Sequence, residues 1–417
     1  MDAPGPPRDV FRLSGYLRFW LAETVSQFGT YITTLALQVL VVLTLKGTAT
    51  DVGLVSAARW LPYLLFGLVL GALVDRRRRK PILVATDLGR AALLAAIPGL
   101  WLLGALSLPV LMLFVALFGV LTLLNDAASQ SFLPRLVPTP SLLAANARLD
   151  QGASVAQTSG PLLAGALVTA LGAPIAVLVD AASYLFSAIA IAGVRVAEPP
   201  PAPATGPPGR LWREVGEGVA YVYRHRTLGP MAISTHGFFL FNSMIGTVLA
   251  PFVLVGLRLT AFEFGIALAA AGAAGLAGSL LAAPAGRRWG AGVVIIACRV
   301  LTPAAWAVVA LTPAGVSHWA TIAVLALGQA LYGLSMGAQN ANEMSYRQAV
   351  TPDAMQGRMN TTMRSLNRAM IVVGAPVGGL IADALGYRPA LWIAIAGLAL
   401  GPAYLALTPF RGARHGE

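Results

Sequence analysis

Twelve apolar stretches, each about as long as a membrane is thick, run through the 417 residues and leave little chain between them. A helix needs about 20 apolar residues to cross about 30 Å of hydrocarbon. The stretches lie at about 16–45, 52–74, 81–103, 108–131, 141–171, 173–194, 228–257, 262–285, 291–312, 317–346, 353–385 and 387–409. Several exceed the membrane thickness, which tilt or extension into the cytoplasm absorbs. Turn residues separate them: Lys46-Gly47, Pro109, Pro138 with Pro140, Gly172-Ala-Pro174, Thr351-Pro352 and Gly386. Charged residues make up only 11% of the chain against 57% hydrophobic, and mean hydropathy is +0.73. A water-soluble domain carries about 25% charged residues. The reading is an all-α membrane protein with twelve transmembrane helices and no room for a sizeable soluble domain.

The net charge of +12 is topology. Arg8, Arg12 and Arg18 precede the first span, and Arg76-Arg77-Arg78-Arg79-Lys80 follow the second. Arg135, the 195–226 segment, Arg287 with Arg288, Arg347 with Arg358, and Arg411 with Arg414 fall at every second connection, whereas the alternate loops hold only Lys46, Arg258 and Arg388. Basic loops stay in the cytoplasm, so both termini are expected there, in a multi-pass membrane protein with an even number of spans. No nucleic-acid partner is expected. Cys298 is the only cysteine, which excludes an intrachain disulfide and a thiolate metal site. The first apolar stretch is too long for a cleaved signal and is read as the first span.

The largest break is Glu198-Pro-Pro-Pro-Ala-Pro-Ala-Thr-Gly-Pro-Pro208, too rich in proline for a helix and read as an extended linker. Residues 211–226 place Trp212, Val215, Val219 and Val222 on one side. This segment is either a helix on the cytoplasmic membrane surface or the plain start of the seventh span. Adding 214 to first-half positions recovers second-half residues: Pro138 and Pro352, Asn146 and Asn360, Gly160 and Gly374, Gly165 and Gly379, Gly172 and Gly386. The expected organisation is a six-helix bundle over 1–194, a linker with a short surface helix over 195–227, and a second, pseudo-symmetric six-helix bundle over 228–417.

Gly71, Asp75, Arg76, Arg79 and Lys80 resemble the loop signature Gly-x-x-x-Asp-Arg-x-Gly-Arg-Arg of the major facilitator superfamily, with Arg78 where that family has glycine. Ala58-Arg59-Trp-Leu-Pro62, Asp180-Ala-Ala-Ser183-Tyr184, Thr351-Pro352-Asp353 and Gly357-Arg358 are similar to its bacterial drug, macrolide and siderophore exporter branch. The resemblance implies the major facilitator fold and a cytoplasmic gate at this loop, where Asp75 bridges to a helix N-terminus or an arginine in one conformation only. Asp87 and Arg90, three residues apart on the third span, make a local ion pair and are assigned to the same gate. Gly160-Pro161-Leu-Leu-Ala164-Gly165 partly resembles the antiporter motif, and Gly374-Ala-Pro376-Val-Gly378-Gly379 is its second-half counterpart. Glycine allows close helix approach and proline bends the helix, so both segments suit a pivot between the halves or simple close packing.

Polar residues recur at helical spacing on four spans. Glu23, Gln27, Thr30, Thr34 and Gln38, with Tyr31 beside them, mark the first. Asn125 and Asp126 stand on the fourth, His236 and Asn242 on the seventh, and Gln329, Tyr332, Met336, Gln339 and Glu343 on the tenth. The resemblance implies that these four spans line a central substrate cavity; the alternative is hydrogen bonding that only holds the bundle together. A charge at mid-bilayer costs at least a few kcal/mol, so Glu23, about two turns into its span, is the candidate proton-coupling carboxylate, where protons and a cationic substrate compete. Asp180 and Arg59 are candidates for a pair.

No phosphate-binding loop is present, and the four histidines are dispersed. The chain is therefore not expected to be an enzyme, and no cofactor or metal is expected. The functional expectation is a monomeric secondary transporter that exports a hydrophobic or amphipathic small molecule against protons by alternating access. A proton-coupled uptake symporter and a non-transporting scaffold or receptor on the same fold are the alternatives.

Overall fold

Glycine and proline punctuate the chain where the structure, a computed structural model, breaks its helices. It describes residues 10–13, 15–75, 77–196, 198, 210–315 and 317–414. Thirteen helices follow one another with no strand among the described residues: α1 (Tyr16–Val39), α2 (Ala49–Asp75), α3 (Arg79–Leu102), α4 (Leu108–Leu136), α5 (Leu142–Leu171), α6 (Ala173–Ala192), α7 (Arg210–Arg224), α8 (Leu228–Pro251), α9 (Ala261–Trp289), α10 (Ala291–Ala310), α11 (His318–Val350), α12 (Asp353–Leu385) and α13 (Tyr387–Ala406). Eleven of them are long and apolar enough to cross a membrane. The 27-residue α2 packs against α4 and α12 beside them.

The two halves repeat each other in detail. α1 and α8 each end in a single π-helical turn, Leu40–Thr44 and Phe252–Gly256. The turns close through the same bonds: Leu45 N–H to Leu40 O and Leu257 N–H to Phe252 O, both 2.8 Å. Lys46 (φ 51°) and Arg258 (φ 58°) then turn the chain in the left-handed region, which non-glycine residues seldom enter. Gly172 (φ 79°) and Gly386 (φ 93°) cap the 20-residue helices α6 and α13. Sequence periodicity shows neither the π turns nor the strained basic residues.

Within the first half α1 packs on α5 and α6, and α3 on α4 and α6. Within the second, α8 packs on α12 and α13, and α11 on α9 and α10. The halves meet through α2 against α12 and α5 against α9. Small residues allow this approach: a Cβ on Gly165 would stand 2.6 Å from Ala261 O, and one on Gly379 2.5 Å from Ala49 O. Gly160 instead faces Tyr31, and Gly374 and Gly378 face α8 within their own half. The Pro161 and Pro376 backbones lie against Gly265 and Gly53 of the opposite half. α5 and α12 thus pack on their own bundle with one set of small residues and on the other bundle with the next.

α7 is a separate helix, broken from α8 at residues 225–227. Its Glu217 pairs with Arg358 of α12 at 2.6 Å, and its Tyr221 hydroxyl donates to Val350 O at 3.1 Å. It sits on the second half at the end where α11 meets α12.

Candidate functional site

Between the halves lie two adjoining spaces that share Thr34, Gln38 and Gly246. The larger, about 600 Å³, has walls from α1, α5, α8, α9 and α11, including Tyr31, Gln157, Gln329, Tyr332 and Met336. The smaller, about 290 Å³, is lined by Ser56, Arg59 and Trp60 on α2 and by Asn242, Ser243 and Thr247 on α8. Trp306 backs Tyr332, with ring centroids 4.6 Å apart.

At the end remote from the basic 77–80 loop the space is closed by buried apolar residues of both halves, Leu40, Val41, Ala49 and Val52 of the first with Val248, Leu249 and Phe252 of the second. There the backbone N–H groups of Ala49 and Thr50 both donate to the Asp383 carboxylate at 3.0 Å. A side chain of α12 thereby caps the N-terminus of α2 across the two halves. Deeper in, the Arg368 guanidinium of α12 lies 3.9 Å from the centre of the Trp60 ring and 5.7 Å from that of Tyr63, a second contact between the same helices.

The acids and amides of the first half divide into two groups. Asp126 accepts from the Tyr63 hydroxyl at 2.7 Å and retains solvent access although protein surrounds it. Glu23 accepts from Ser129 at 2.7 Å, within electrostatic reach of Asp126 and Asp87. Asp87, 1% exposed, pairs with Arg90 and accepts from Ser187 (2.6 Å) and Asn125 (3.1 Å). The Arg90 guanidinium lies 4.1 Å from the centre of the Tyr184 ring. Asp87 and Arg90, expected at the gate, lie inside the first bundle among α3, α4 and α6. Asn125 belongs to that cluster and not to the cavity wall, because its amide points to Thr86 (2.9 Å) and Asp87.

The second half has its own buried pair. Arg299 of α10 donates to Glu343 at 3.3 Å, to Thr235 at 2.6 Å and to Ser234, and Gln339 donates to Glu343 at 3.4 Å. Glu343 and Gln339 therefore hold Arg299 within the bundle and line neither space. Sequence reasoning passed over Arg299, although a lone charge in an apolar stretch is a signal in itself. Arg299 stands 212 positions after Asp87, the interval that also separates Lys46 from Arg258, so the repeat carries a cation where its first copy carries an acid. His236 bonds to the Tyr223 hydroxyl (2.7 Å) and to Asn367 (2.8 Å), away from both spaces.

Tyr31, Thr34, Asn242, Gln329, Tyr332 and Met336 line the spaces. Gln27, exposed, continues the Tyr31 face one turn toward the basic end of α1. Glu23 lines neither space, and no carboxylate lines either among the described residues. Arg59 donates to Thr34 at 3.1 Å while Asp180 accepts from Thr33 and Ser183, so the expected Arg59–Asp180 pair is not formed. Arg76 lies outside the described residues, as do the side-chain surroundings of Gly71 and Asp75. An acid does stand at the N-terminus of α3, but it is Glu198 from the stretch after α6, which accepts from the backbone N–H groups of Arg79 (2.6 Å) and Lys80 (2.9 Å).

Two six-helix bundles around a cleft closed at one end define a membrane transporter of the major facilitator type. The chain belongs to the transmembrane secretion effector family of that class, whose sequence profile matches residues 8–414. It is 26% identical to an uncharacterised transporter, y4rN, of Sinorhizobium fredii over 90% of each chain. It is 25% identical to the multidrug efflux pump Tap of Mycolicibacterium fortuitum over 82% of this chain and 83% of that one. Among solved structures, the nucleoside transporter NupG superposes with a TM-score of 0.75 at 12% identity, over 94% of this chain and 98% of that one, which shows a shared fold. These relatives are membrane transporters, and the chain is a transporter, not an enzyme.

Proposed function

We propose that the chain exports an amphipathic small molecule across the bacterial cytoplasmic membrane by alternating access, in exchange for protons. The observation that carries this reading is the closure of one end of the cleft by Asp383 on α2, while cavity space remains between the halves at mid-depth. With the basic loops in the cytoplasm, the closed end is the outer one, and the cavity takes its substrate from the inside. Both termini are then cytoplasmic, and the units 1–194 and 228–417 rock as rigid bodies about the α2–α12 and α5–α9 seams. The efflux relative Tap favours the outward direction.

Glu23 and Asp126 are the proton carriers in this scheme. A carboxylate inside the bilayer bears its charge at a cost of a few kcal/mol, which a proton removes. Neither lines the spaces where substrate binds, so proton and substrate compete through the conformation of the halves and not for one carboxylate. A proton moving through 100 mV supplies about 2.3 kcal/mol, roughly fiftyfold accumulation per proton.

The test is transport by proteoliposomes under an imposed pH gradient. Glu23→Gln is expected to abolish gradient-driven export while leaving insertion into the membrane intact. Unchanged export by this variant removes Glu23 from the scheme, and accumulation that runs with the proton flux identifies a symporter.

A further inference from the structure

Three side chains on the wall of the cleft, all from the second half, hold polar atoms with no hydrogen-bond partner in the protein: Nε2 of Gln329 in the larger space, and Oδ1 of Asn242 and Oγ1 of Thr247 in the smaller. Gln329 is 2% exposed and Thr247 3%. Buried polar groups are ordinarily paired, and those left alone in a native protein call for a partner from elsewhere. Here they share one cleft, with the Tyr332 side chain beside Asn242 and the Trp306 ring tilted against that of Tyr332.

The charge of the wall narrows the partner further. No acidic or basic side chain lines the larger space, and Arg59 is the only charged one lining the smaller, among the described residues. An ionised substrate group in the larger space would be buried without a counter-charge, which is costly. A pure hydrocarbon would fill the volume but leave the three polar atoms unpaired, and a site built to hydrogen-bond discriminates strongly against an analogue that lacks the bonding group.

We infer that the substrate presents an uncharged, oxygen-bearing body to this wall, with carbonyl, ether or hydroxyl groups on a ring system, and that Gln329 is the residue that selects it. The Gln329 amide offers both a donor and an acceptor, so either kind of oxygen group is met. A volume of about 600 Å³ falls within the ordinary range of small-molecule sites. This inference rests on the transporter reading and names the substrate class that reading leaves open.

The experiment measures equilibrium binding to the full chain in detergent, without any gradient. The probes are 7-methoxycoumarin and 7-hydroxy-4-methylcoumarin (uncharged, oxygen-bearing), coumarin-3-carboxylate (anion), naphthylmethyl-trimethylammonium (cation) and 2-methylnaphthalene (no oxygen). The uncharged coumarins are expected to bind most tightly. Gln329→Met, close in volume, is expected to weaken them about tenfold and to leave 2-methylnaphthalene unchanged or tighter. Thr247→Val serves as a second variant with the same pattern and a smaller effect, and elution as a monodisperse species shows that each variant is folded. Tighter binding of either ion, failure of the uncharged coumarins to bind, or an equal effect of Gln329→Met on coumarin and naphthalene would overturn the inference. Those outcomes leave proton-driven export, read separately in proteoliposomes, unaffected; loss of that export with coumarin selectivity retained would instead overturn the transport reading alone.

Discussion

Removing the Arg299 guanidinium leaves the buried Glu343 carboxylate with its neutral partners and a single, longer ion pair to Arg347 at 4.0 Å. Breaking one side of a buried pair costs about 3–5 kcal/mol, whereas replacing both partners with apolar groups is often neutral. Arg299→Met is therefore expected to lower the thermal stability of the purified protein sharply, and Arg299→Met with Glu343→Leu to restore most of it; equal loss in both variants would show that the pair contributes little by its charges. The pair also shows what sequence reading reaches at this scale. Periodicity placed Glu343, Gln339 and Asn125 on polar faces correctly, but a face has neighbours on several helices. Which of them it meets depends on packing, and here it turned all three inward to their own bundle. The role of Asp383 was not legible, since its partners, the backbone N–H groups of Ala49 and Thr50, lie more than 330 positions away.

At the scale of single elements, helix ends were the most legible feature because glycine and proline set them by local geometry. Gly172 and Gly386 cap equivalent helices in the left-handed region, which only glycine enters without strain. The π turns after α1 and α8 were hidden, since an extra backbone residue in an apolar run changes no residue type. Asp383 capping α2 is an inter-element contact with a measurable worth. A cap contributes about 1 kcal/mol, so Asp383→Ala is expected to raise the outward-open population roughly fivefold, read as distances between spin labels at positions 48 and 385. The junction between α7 and α8 holds a histidine bonded to the backbone. His225 accepts from the backbone N–H groups of Thr227 and Leu228 through Nδ1, both at 3.3 Å, and burial holds its pKa below the ordinary 6.5. The neutral ring is the form the fold prefers. Its contribution is complete above about pH 6.5 and is lost as the pH falls from there toward the depressed folded value, because the unfolded chain takes up the proton first. Acidification from about pH 7.5 to about pH 5.5 is expected to lower the melting temperature, and His225→Gln to flatten that dependence; an unchanged slope would place the titrating group elsewhere.

Over the whole molecule, the fold was legible because lipid leaves few choices: apolar length fixes the spans and basic loops fix their order. The repeat was visible as well, at an interval of 214 in the later helices, while Lys46 with Arg258 and Asp87 with Arg299 show 212 in the earlier ones. The division of labour inside the cleft was not legible. The sequence suggested one carboxylate serving both proton and substrate, whereas no carboxylate lines either space among the described residues, and Glu23 and Asp126 lie outside both. Export then requires that protonation at one place bias which end of the cleft is open at another. The most direct measurement is the distance between spin labels at positions 48 and 385 in lipid nanodiscs as a function of pH. Two populations are predicted, short for the closed outer end and long for the open one, with a ratio that changes with pH in the native chain and stays fixed in the Glu23→Gln, Asp126→Asn double variant. A single short distance at every pH, or the same pH dependence in both proteins, would contradict the account.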